Sequence, residues 1–153
     1  MENEHIKIVT ENRKARHEYH IEDQIEAGMV LRGTEVKSLR EGRANLKDAY
    51  GKIKNGELYI YQMHISPYPF AYYDNHEPLR PRKLLLHKPE LKRLFGKMKE
   101  KGFTLVPLRV YFKNGKAKVK IALARGKRQY DKREAIKQRE MKREMDRAKK
   151  DRH

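Results

Sequence analysis

Two Asn-Gly pairs constrain the fold of this chain more than any other feature. Asn55-Gly56 joins the run AYGKIK to ELYIYQMHI, and Asn114-Gly115 joins LRVYF to KVKIALA. Asn followed by Gly supplies the positive φ angles of a two-residue primed turn, the commonest connection in a β-hairpin. The sequence therefore predicts two hairpins, one near the middle of the chain and one near its end.

The last predicted strand alternates apolar and polar side chains. Its apolar positions are Val119, Ile121 and Leu123, and the positions between them are Lys118, Lys120 and Ala122. Side chains along a strand point alternately to opposite faces. We therefore expect one buried face and one basic face. Upstream, the stretch YHIEDQIEAGMVL ends in an apolar run and predicts a further strand.

Two segments are predicted to be helical. In HKPELKRLFGKMKEKG, apolar residues recur at i, i+3, i+4 and i+7, with Pro89 suited to the first turn and Gly102 to the stop. In GTEVKSLREG, Thr34 is expected to cap a shorter helix. Between them, HISPYPFAYYDNHEPLRPRKLLL predicts an ordered but irregular loop. Short strands, hairpins and interposed helices together favour a mainly β fold, a small closed or nearly closed barrel.

The chain divides into a body and a basic tail. We expect residues 1–124 to form the barrel and residues 125–153 to form the tail, which contains 13 Lys and Arg against 6 Asp and Glu. In the tail, acids precede bases at helical spacing, but the apolar stripe of Met141, Met145 and Ala148 is thin. Each such pair contributes only about 0.2–0.5 kcal/mol. We expect weak helicity in the free tail and ordering on a partner; the alternative is a permanently solvated tail.

The charge indicates an anionic partner. The formal net charge is +17, and both the body and the tail are basic. Nucleic acid is the leading candidate, because its phosphates release counterions when Lys and Arg neutralise them. An anionic membrane surface is the rival. No apolar run is long enough to span a bilayer, and the start MENEHIKIV does not look like a signal peptide. The absence of cysteine fits a reducing compartment.

No motif for catalysis or cofactor binding is present in the sequence. GxSxG, P-loop and GxGxxG patterns are missing, and we therefore expect no enzyme, cofactor or metal. His17 and His20 are three residues apart, but the nearby acids form no recognised ligand pattern. The alternative is a metal-dependent nuclease that uses His17, Glu18 and His20.

Three stretches are candidates for RNA contact. In ENRKARHEYH, we single out Asn12, Arg13, Lys14 and Arg16 as phosphate or base contacts; the alternative is a solvated lead-in to the first strand. In RPRKLLLHK, the leucines are expected in the core, although one exposed leucine would suit an unstacked base. Six aromatic residues cluster in the middle of the chain: Tyr59, Tyr61, Tyr68, Phe70, Tyr72 and Tyr73. For most of them we favour packing in the core and loops; the alternative is stacking on bases.

Several collinear motifs resemble one family. NRKARHEY, EAGMVLRGTEVKSLREGRANLKDAY, HISPY, RPRKLLLHKPEL and LVPLRVYFKNGKAKVKIALARGKRQYDKR, in this order, are similar to the SsrA-binding proteins, the small protein B family of bacterial trans-translation. The resemblance covers about residues 9–143. It implies a β-barrel of the oligonucleotide-binding (OB) type with flanking helices.

The resemblance also implies particular contact residues. The RNA-contact positions of the family match Asn12, Glu26 and Leu85, and we add Arg13, Lys14, Arg16, Lys118 and Lys120 as candidates. A carboxylate such as that of Glu26 can accept from a base amino group. In the tail, the ribosome-contact elements of the family match Gly126, Lys127, Asp131, Lys132 and Arg133. Tyr130 stands where the family often has His, and either ring can stack on a base.

The implied function is non-enzymatic ribosome rescue in the bacterial cytoplasm. The partners would be the transfer-RNA-like domain of transfer-messenger RNA, bound one to one at its D-loop elbow, and a stalled ribosome including 16S ribosomal RNA. The protein would substitute for the anticodon arm that this RNA lacks, while its tail enters the decoding centre and the empty message channel. The alternative is a generic ribosome-associated RNA-binding protein or RNA chaperone.

Overall fold

The computed structural model describes residues 5–100 and 102–151, with the side chains of 128–133, 150 and 151 outside the description. Nine strands and four helices follow one another along these residues: β1 Ile6–Glu11, α1 Ala15–Glu18, β2 Tyr19–Met29, α2 Gly33–Arg40, β3 Ala44–Asn45, β4 Tyr50–Lys54, β5 Glu57–Tyr61, β6 His64–Ile65, β7 Arg82–Leu85, α3 Lys88–Met98, β8 Phe103–Lys113, β9 Lys116–Gly126 and α4 Lys127–Asp151.

The strand pairings form a circuit. Antiparallel pairs join β8 to β4, β4 to β5, β5 to β7, β7 to β2, β2 to β9, and β9 back to β8, while β1 pairs with the remaining edge of β8. The pairing of β4 with β8 is the shortest in this circuit, with one register pair between Gly51 and Leu105. The two backbones approach closely there, because a Cβ added to Gly51 would lie 2.8 Å from the Leu105 Cβ. The predicted OB-like antiparallel fold with flanking helices is confirmed, and such a circuit leaves few free strand edges.

Both predicted hairpins are confirmed. Asn55 and Gly56 connect β4 to β5 with φ angles of 52° and 75°, and Asn114 and Gly115 connect β8 to β9 with φ angles of 50° and 79°. Two consecutive positive φ angles define the primed turn whose twist matches that of the flanking strands. The turn residues thus set the register of both hairpins.

The core fills the interior of the barrel. Alternate residues of β5, β8 and β9 point inward, among them Leu58, Ile60, Leu105, Val119 and Ile121, each 1% exposed or less. Leu39 of α2 and Leu94 of α3 are also buried in this cluster. The two amphipathic helices therefore cover the barrel with the faces that their sequence spacing predicts. α3 ends at Met98, four residues before the expected stop at Gly102.

The outer face of β9 is only partly basic, which corrects the sequence prediction. Ala122 and Ala124 on that face are fully buried, in a second small cluster with Ala15, Val106 and Leu108. The single-turn helix α1 covers this end of the strand and places Ala15 against it. The basic side chains of this face are Lys116, which is exposed, and Lys118 and Lys120, which are half-buried.

A buried ion cluster replaces the expected cap of α2. Thr34 does not cap the helix, because α2 begins at Gly33 and Thr34 lies within its first turn. The Thr34 hydroxyl lies 2.9 Å from Nδ1 of His76. Instead Glu35 accepts a hydrogen bond of 2.8 Å from the backbone N–H of Arg32, and its carboxylate also binds Arg82 at 2.5 Å and Arg80. The Glu35 and Arg82 side chains are fully buried. Burial alone would raise the pKa of Glu35, but the hydrogen bonds from Arg80, Arg32 and Arg82 outweigh it and lower the pKa.

The tail is helical in the structure. α4 follows directly after β9, and its stripe residues Met141 and Met145 are 59% and 62% exposed. Because so little apolar surface is covered, the dependence of this helix on a partner stays a prediction. None of the helices within the described ranges is long and apolar enough to cross a membrane.

Candidate nucleic-acid interface

Strand register brings several predicted contact residues onto one outer face. On this face Glu26 of β2 lies opposite Lys120 of β9, and Gly28 of β2 lies opposite Lys118 of β9. On its other side, Gly28 lies opposite Leu85 of β7. Residues separated by up to 94 positions in sequence therefore become neighbours across three strands. We call the surface formed by Glu26, Leu85, Lys118 and Lys120 the β2–β9 face.

Leu85 is the exposed member of the leucine triplet. Its side chain is 51% exposed, whereas that of Leu84 is 3% exposed and packs in the core. The alternation of a strand explains this difference, since neighbouring residues point to opposite faces. Leu85 borders a concavity of about 510 Å³ that is also lined by Glu26, Gly28, Leu86, His87, Glu90 and Lys118. An exposed leucine beside a polar hollow is suited to packing against a flat apolar surface such as an unstacked base.

The Glu26 carboxylate is held ionised from behind. Tyr111 of β8 donates a hydroxyl hydrogen bond to its Oε2, and the Lys113 ammonium lies 3.4 Å from its Oε1. The hydrogen bond from Tyr111 lowers the pKa of Glu26 most, and Lys113 and Lys118 lower it further against the opposing effect of burial. The result is an anionic acceptor at the centre of a basic surface.

The N-terminal candidates occupy a second concavity beside the first. It measures about 470 Å³ and is lined by Asn12, Arg13, Arg16, Lys120, Glu11, His17, Gln24, Leu108 and Arg109. Lys14 lies elsewhere, in a neighbouring hollow of about 450 Å³ that Asn12 also borders. The Asn12 side chain donates to the carbonyl of Pro107 at 3.2 Å, and its backbone N–H donates to Leu108 at 2.7 Å. Asn12 therefore fixes the turn between β1 and α1 on β8.

Three residues of β8 lie in or directly beneath the candidate interface, and the sequence analysis did not single them out. Arg109, Tyr111 and Lys113 alternate along the strand, and each is on its outer side. The Arg109 guanidinium lies over the Tyr111 ring, 5.3 Å from its centroid. The alternating pattern of LRVYFK indicates that these three side chains share one face of a strand. Only the strand pairing shows that β8 lies two strands away from Glu26, across β9.

The predicted aromatic cluster divides into packed and exposed rings. On the outer side of the β4–β5 hairpin, Tyr61 stacks on Tyr50 at 5.6 Å and contacts Tyr59 at 6.4 Å. In the following loop, Tyr68 contacts Phe70 edge-on at 5.5 Å. Phe70, however, is 70% exposed, and Tyr72 and Tyr73 are each 88% exposed. Packing therefore accounts for Tyr59, Tyr61 and Tyr68 but not for the loop tip.

The two histidines considered as metal ligands lie on different elements. His17 is on α1 and His20 on β2. Across the residues with described positions, no three His, Asp or Glu side chains are grouped closely enough to hold a metal ion.

The tail candidates begin where the sheet ends. Gly126 is the last residue of β9, and Lys127 is the first residue of α4 and is exposed. Tyr130, Asp131, Lys132 and Arg133 follow on the backbone of this helix, and their side chains lie outside the described part of the chain.

An OB-like barrel with cations grouped around one outer face is typical of a nucleic-acid-binding protein. Comparison with known proteins gives the family. The family model described as SmpB protein matches residues 9–151. The chain belongs to the SmpB family.

Individual relatives agree with this assignment. The SsrA-binding protein of Pelotomaculum thermopropionicum is 60% identical over 147 residues, which cover 96% of each chain. That of Symbiobacterium thermophilum is 63% identical over 144 residues, covering 94% of this chain and 91% of the relative. A solved structure titled "tmRNA-SmpB: a journey to the center of the bacterial ribosome" is 52% identical, with a TM-score of 0.64, and covers 76% of this chain and 82% of its own.

Proposed function

We propose that this protein binds transfer-messenger RNA, also called SsrA RNA, and delivers it to stalled ribosomes in trans-translation. Membership of the SmpB family supports this proposal, as do relatives named SsrA-binding proteins and a structural relative described in a complex of tmRNA with SmpB. The observation that carries the proposal is the grouping of Glu26, Leu85, Lys118 and Lys120 on one face, because these residue types complement phosphates, base edges and base planes together.

The residues of the β2–β9 face and of the neighbouring hollows have distinct tasks in the proposed complex. Arg13, Arg16 and Lys120 neutralise phosphates on one side of Glu26, and Lys118 does so on the other. Leu85 packs against a base that is turned out of the D-loop. Glu26, kept anionic by Tyr111, accepts a hydrogen bond from a base amino group and adds sequence preference. Lys14 contacts the backbone from the adjacent hollow.

On the ribosome, the proposed roles of the body and of the tail differ. The protein stands in for the anticodon arm that transfer-messenger RNA lacks. Residues Gly126 to Arg133 engage the decoding centre, including 16S ribosomal RNA, and the rest of α4 enters the empty message channel. The protein acts as a one-to-one partner of the RNA in the cytoplasm, and it catalyses none of the chemical steps itself.

Three single variants test the site: Asn12→Ala, Glu26→Ala and Leu85→Ala, with Lys97→Ala on the exposed side of α3 as control. Affinity is measured at fixed salt for the transfer-RNA-like domain and for an unrelated hairpin of equal length. We expect Leu85→Ala to weaken binding by roughly 5- to 30-fold, because covering the exposed half of the leucine side chain with a base contributes about 1–2 kcal/mol. Equal affinity for both RNAs would instead support the generic RNA-binding protein or chaperone.

A further inference from the structure

The hollow of about 470 Å³ beside the β2–β9 face is lined by one cation, Arg109, that was not among the predicted contact residues. Its lining includes four permanent cations, Arg13, Arg16, Arg109 and Lys120, against one carboxylate, that of Glu11. We call this hollow the Arg109 cradle. Its cations come from two separate parts of the sequence: residues 13–16, where the chain turns into α1, and the β8–β9 hairpin. A site assembled in this way concentrates positive potential in a polar hollow.

Two of these cations face each other directly. Arg109 of β8 and Lys120 of β9 are register partners in the antiparallel ladder. Like charges in directly opposite positions destabilise a sheet. Within the described residues, neither cation forms an ion pair with a carboxylate, whereas Lys113 on the same strand pairs with Glu26. An anionic ligand in the cradle would relieve this repulsion.

The Arg109 side chain is held in position before any ligand arrives. Its guanidinium lies over the ring of Tyr111, which is 1% exposed and whose hydroxyl is bound to Glu26. A guanidinium that stacks on an aromatic ring keeps its N–H donors pointing outward in its own plane. Those donors match two oxygens of a phosphate, and the fixed side chain loses little conformational entropy on binding.

The geometry points to a backbone phosphodiester of the bound RNA as the ligand of the Arg109 cradle, with Arg109 as its principal fork. This inference rests on the proposed function and adds to it a contact that the family motifs did not supply. A volume of about 470 Å³ accommodates a phosphate together with its sugar. Because the contact is to the backbone, it is independent of sequence, and Glu26 remains the residue that reads a base.

The test compares Arg109→Gln with Arg43→Gln in the full-length chain. Both variants lose one positive charge. Arg43, however, directly precedes β3, forms an ion pair with Glu41 at 2.8 Å and lies outside the cradle. RNA affinity is measured over a salt series for the transfer-RNA-like domain and for an unrelated hairpin. We expect Arg109→Gln to weaken binding to both RNAs by roughly 10- to 100-fold and to reduce the salt slope by about 1. Arg109→Lys should retain the slope and lose part of the affinity.

The outcomes separate this inference from the proposed function. If Arg109→Gln behaves as Arg43→Gln on both RNAs, the cradle does not bind phosphate. If Arg109→Gln weakens only the transfer-messenger RNA complex and leaves the slope unchanged, Arg109 reads a base and the phosphate assignment is wrong. If the wild-type chain binds both RNAs equally but Arg109→Gln lowers both slopes, the cradle stands and the proposed function falls. Far-UV circular dichroism and melting temperature establish that each variant is folded.

Discussion

The Tyr111 hydroxyl donates a hydrogen bond to Oε2 of Glu26 across the intervening strand β9. Tyr111 is buried and Glu26 is half-buried, so a core residue orients a carboxylate on the β2–β9 face. The bond lowers the pKa of Glu26, and the nearby ammonium groups of Lys113 and Lys118 act in the same direction. The Tyr111 hydroxyl is therefore the largest of the groups that keep the Glu26 carboxylate ionised as a hydrogen-bond acceptor.

Replacing Tyr111 with Phe keeps the ring under Arg109 but removes the donor to Glu26. We expect the pKa of Glu26 to rise toward its ordinary value, because the largest cause of its lowering is lost. RNA affinity should fall less than in Glu26→Ala, and the salt slope should be retained. Carboxyl-carbon NMR titration measures the pKa, with Tyr61→Phe as a control that also loses one hydroxyl. An unchanged Glu26 titration would contradict the assigned hydrogen bond.

The neighbouring leucines Leu84 and Leu85 should separate stability from binding. Leu84→Ala removes a core side chain, and we expect it to lower the free energy of unfolding by about 2–5 kcal/mol. Leu85→Ala should leave the melting temperature nearly unchanged while weakening RNA binding, because this side chain is already half in solvent. Thermal unfolding and RNA titration of both variants measure the two effects. A large loss of stability in Leu85→Ala would assign it to the core instead.

Glu35→Gln should destabilise the fold because it leaves Arg82 buried without its counterion. We expect a loss of about 3–5 kcal/mol near neutral pH, measured by denaturant unfolding. The matched control is Glu57→Gln, which breaks an exposed pair with Lys83 at 2.9 Å and should change stability little.

The same ion cluster gives a pH dependence of definite sign. The pKa of Glu35 is lowered from 4.5 in the folded state, so the unfolded chain binds a proton at this site more readily. The stabilisation from the charged carboxylate is therefore fully present above pH 4.5 and is lost as the pH falls through the lowered folded value. The free energy of unfolding of the wild type should exceed that of Glu35→Gln by less and less as the pH falls through this acidic window. A difference that stays constant there would mean that Glu35 does not titrate with folding.

The triple variant Asp131→Ala/Lys132→Ala/Arg133→Ala should separate the tail from the barrel. We expect affinity for transfer-messenger RNA to stay within about twofold, since the change leaves the β2–β9 face intact and adds one net negative charge outside it. Tagging of stalled peptides in a reconstituted translation reaction should fall at least about tenfold, because the proposed contact with the decoding centre would be lost. Equal losses in RNA binding and in tagging would contradict the proposed division of roles.

The local parts of the fold could be predicted from the sequence, and the long-range parts could not. Asn55-Gly56 and Asn114-Gly115 identified both hairpins because the turn chemistry is contained in two adjacent residues. The sequence did not predict β1, because it is an edge strand with exposed Ile6 and Ile8 and its partner β8 lies at the far end of the chain, where Lys113 is opposite Ile6.

The same distinction holds for the candidate site. Leu85 was singled out by the family resemblance alone; the leucine triplet predicted a core position, which is wrong for Leu85 because its side chain is half exposed. Arg82, which stands among surface-type basic residues in RPRK, is fully buried because Glu35 lies opposite it in the fold. Tyr111 was also missed, since nothing local connects it to a glutamate 85 residues earlier in the chain.

The central claim is tested most directly by purifying the tagged chain from its source cell and sequencing the bound RNA. The account predicts that transfer-messenger RNA dominates the recovered RNA relative to its share of total RNA. It also predicts that this enrichment disappears in Glu26→Ala/Leu85→Ala but persists in Lys97→Ala. A recovered RNA profile that mirrors total cellular RNA, in wild type and variants alike, would contradict the account.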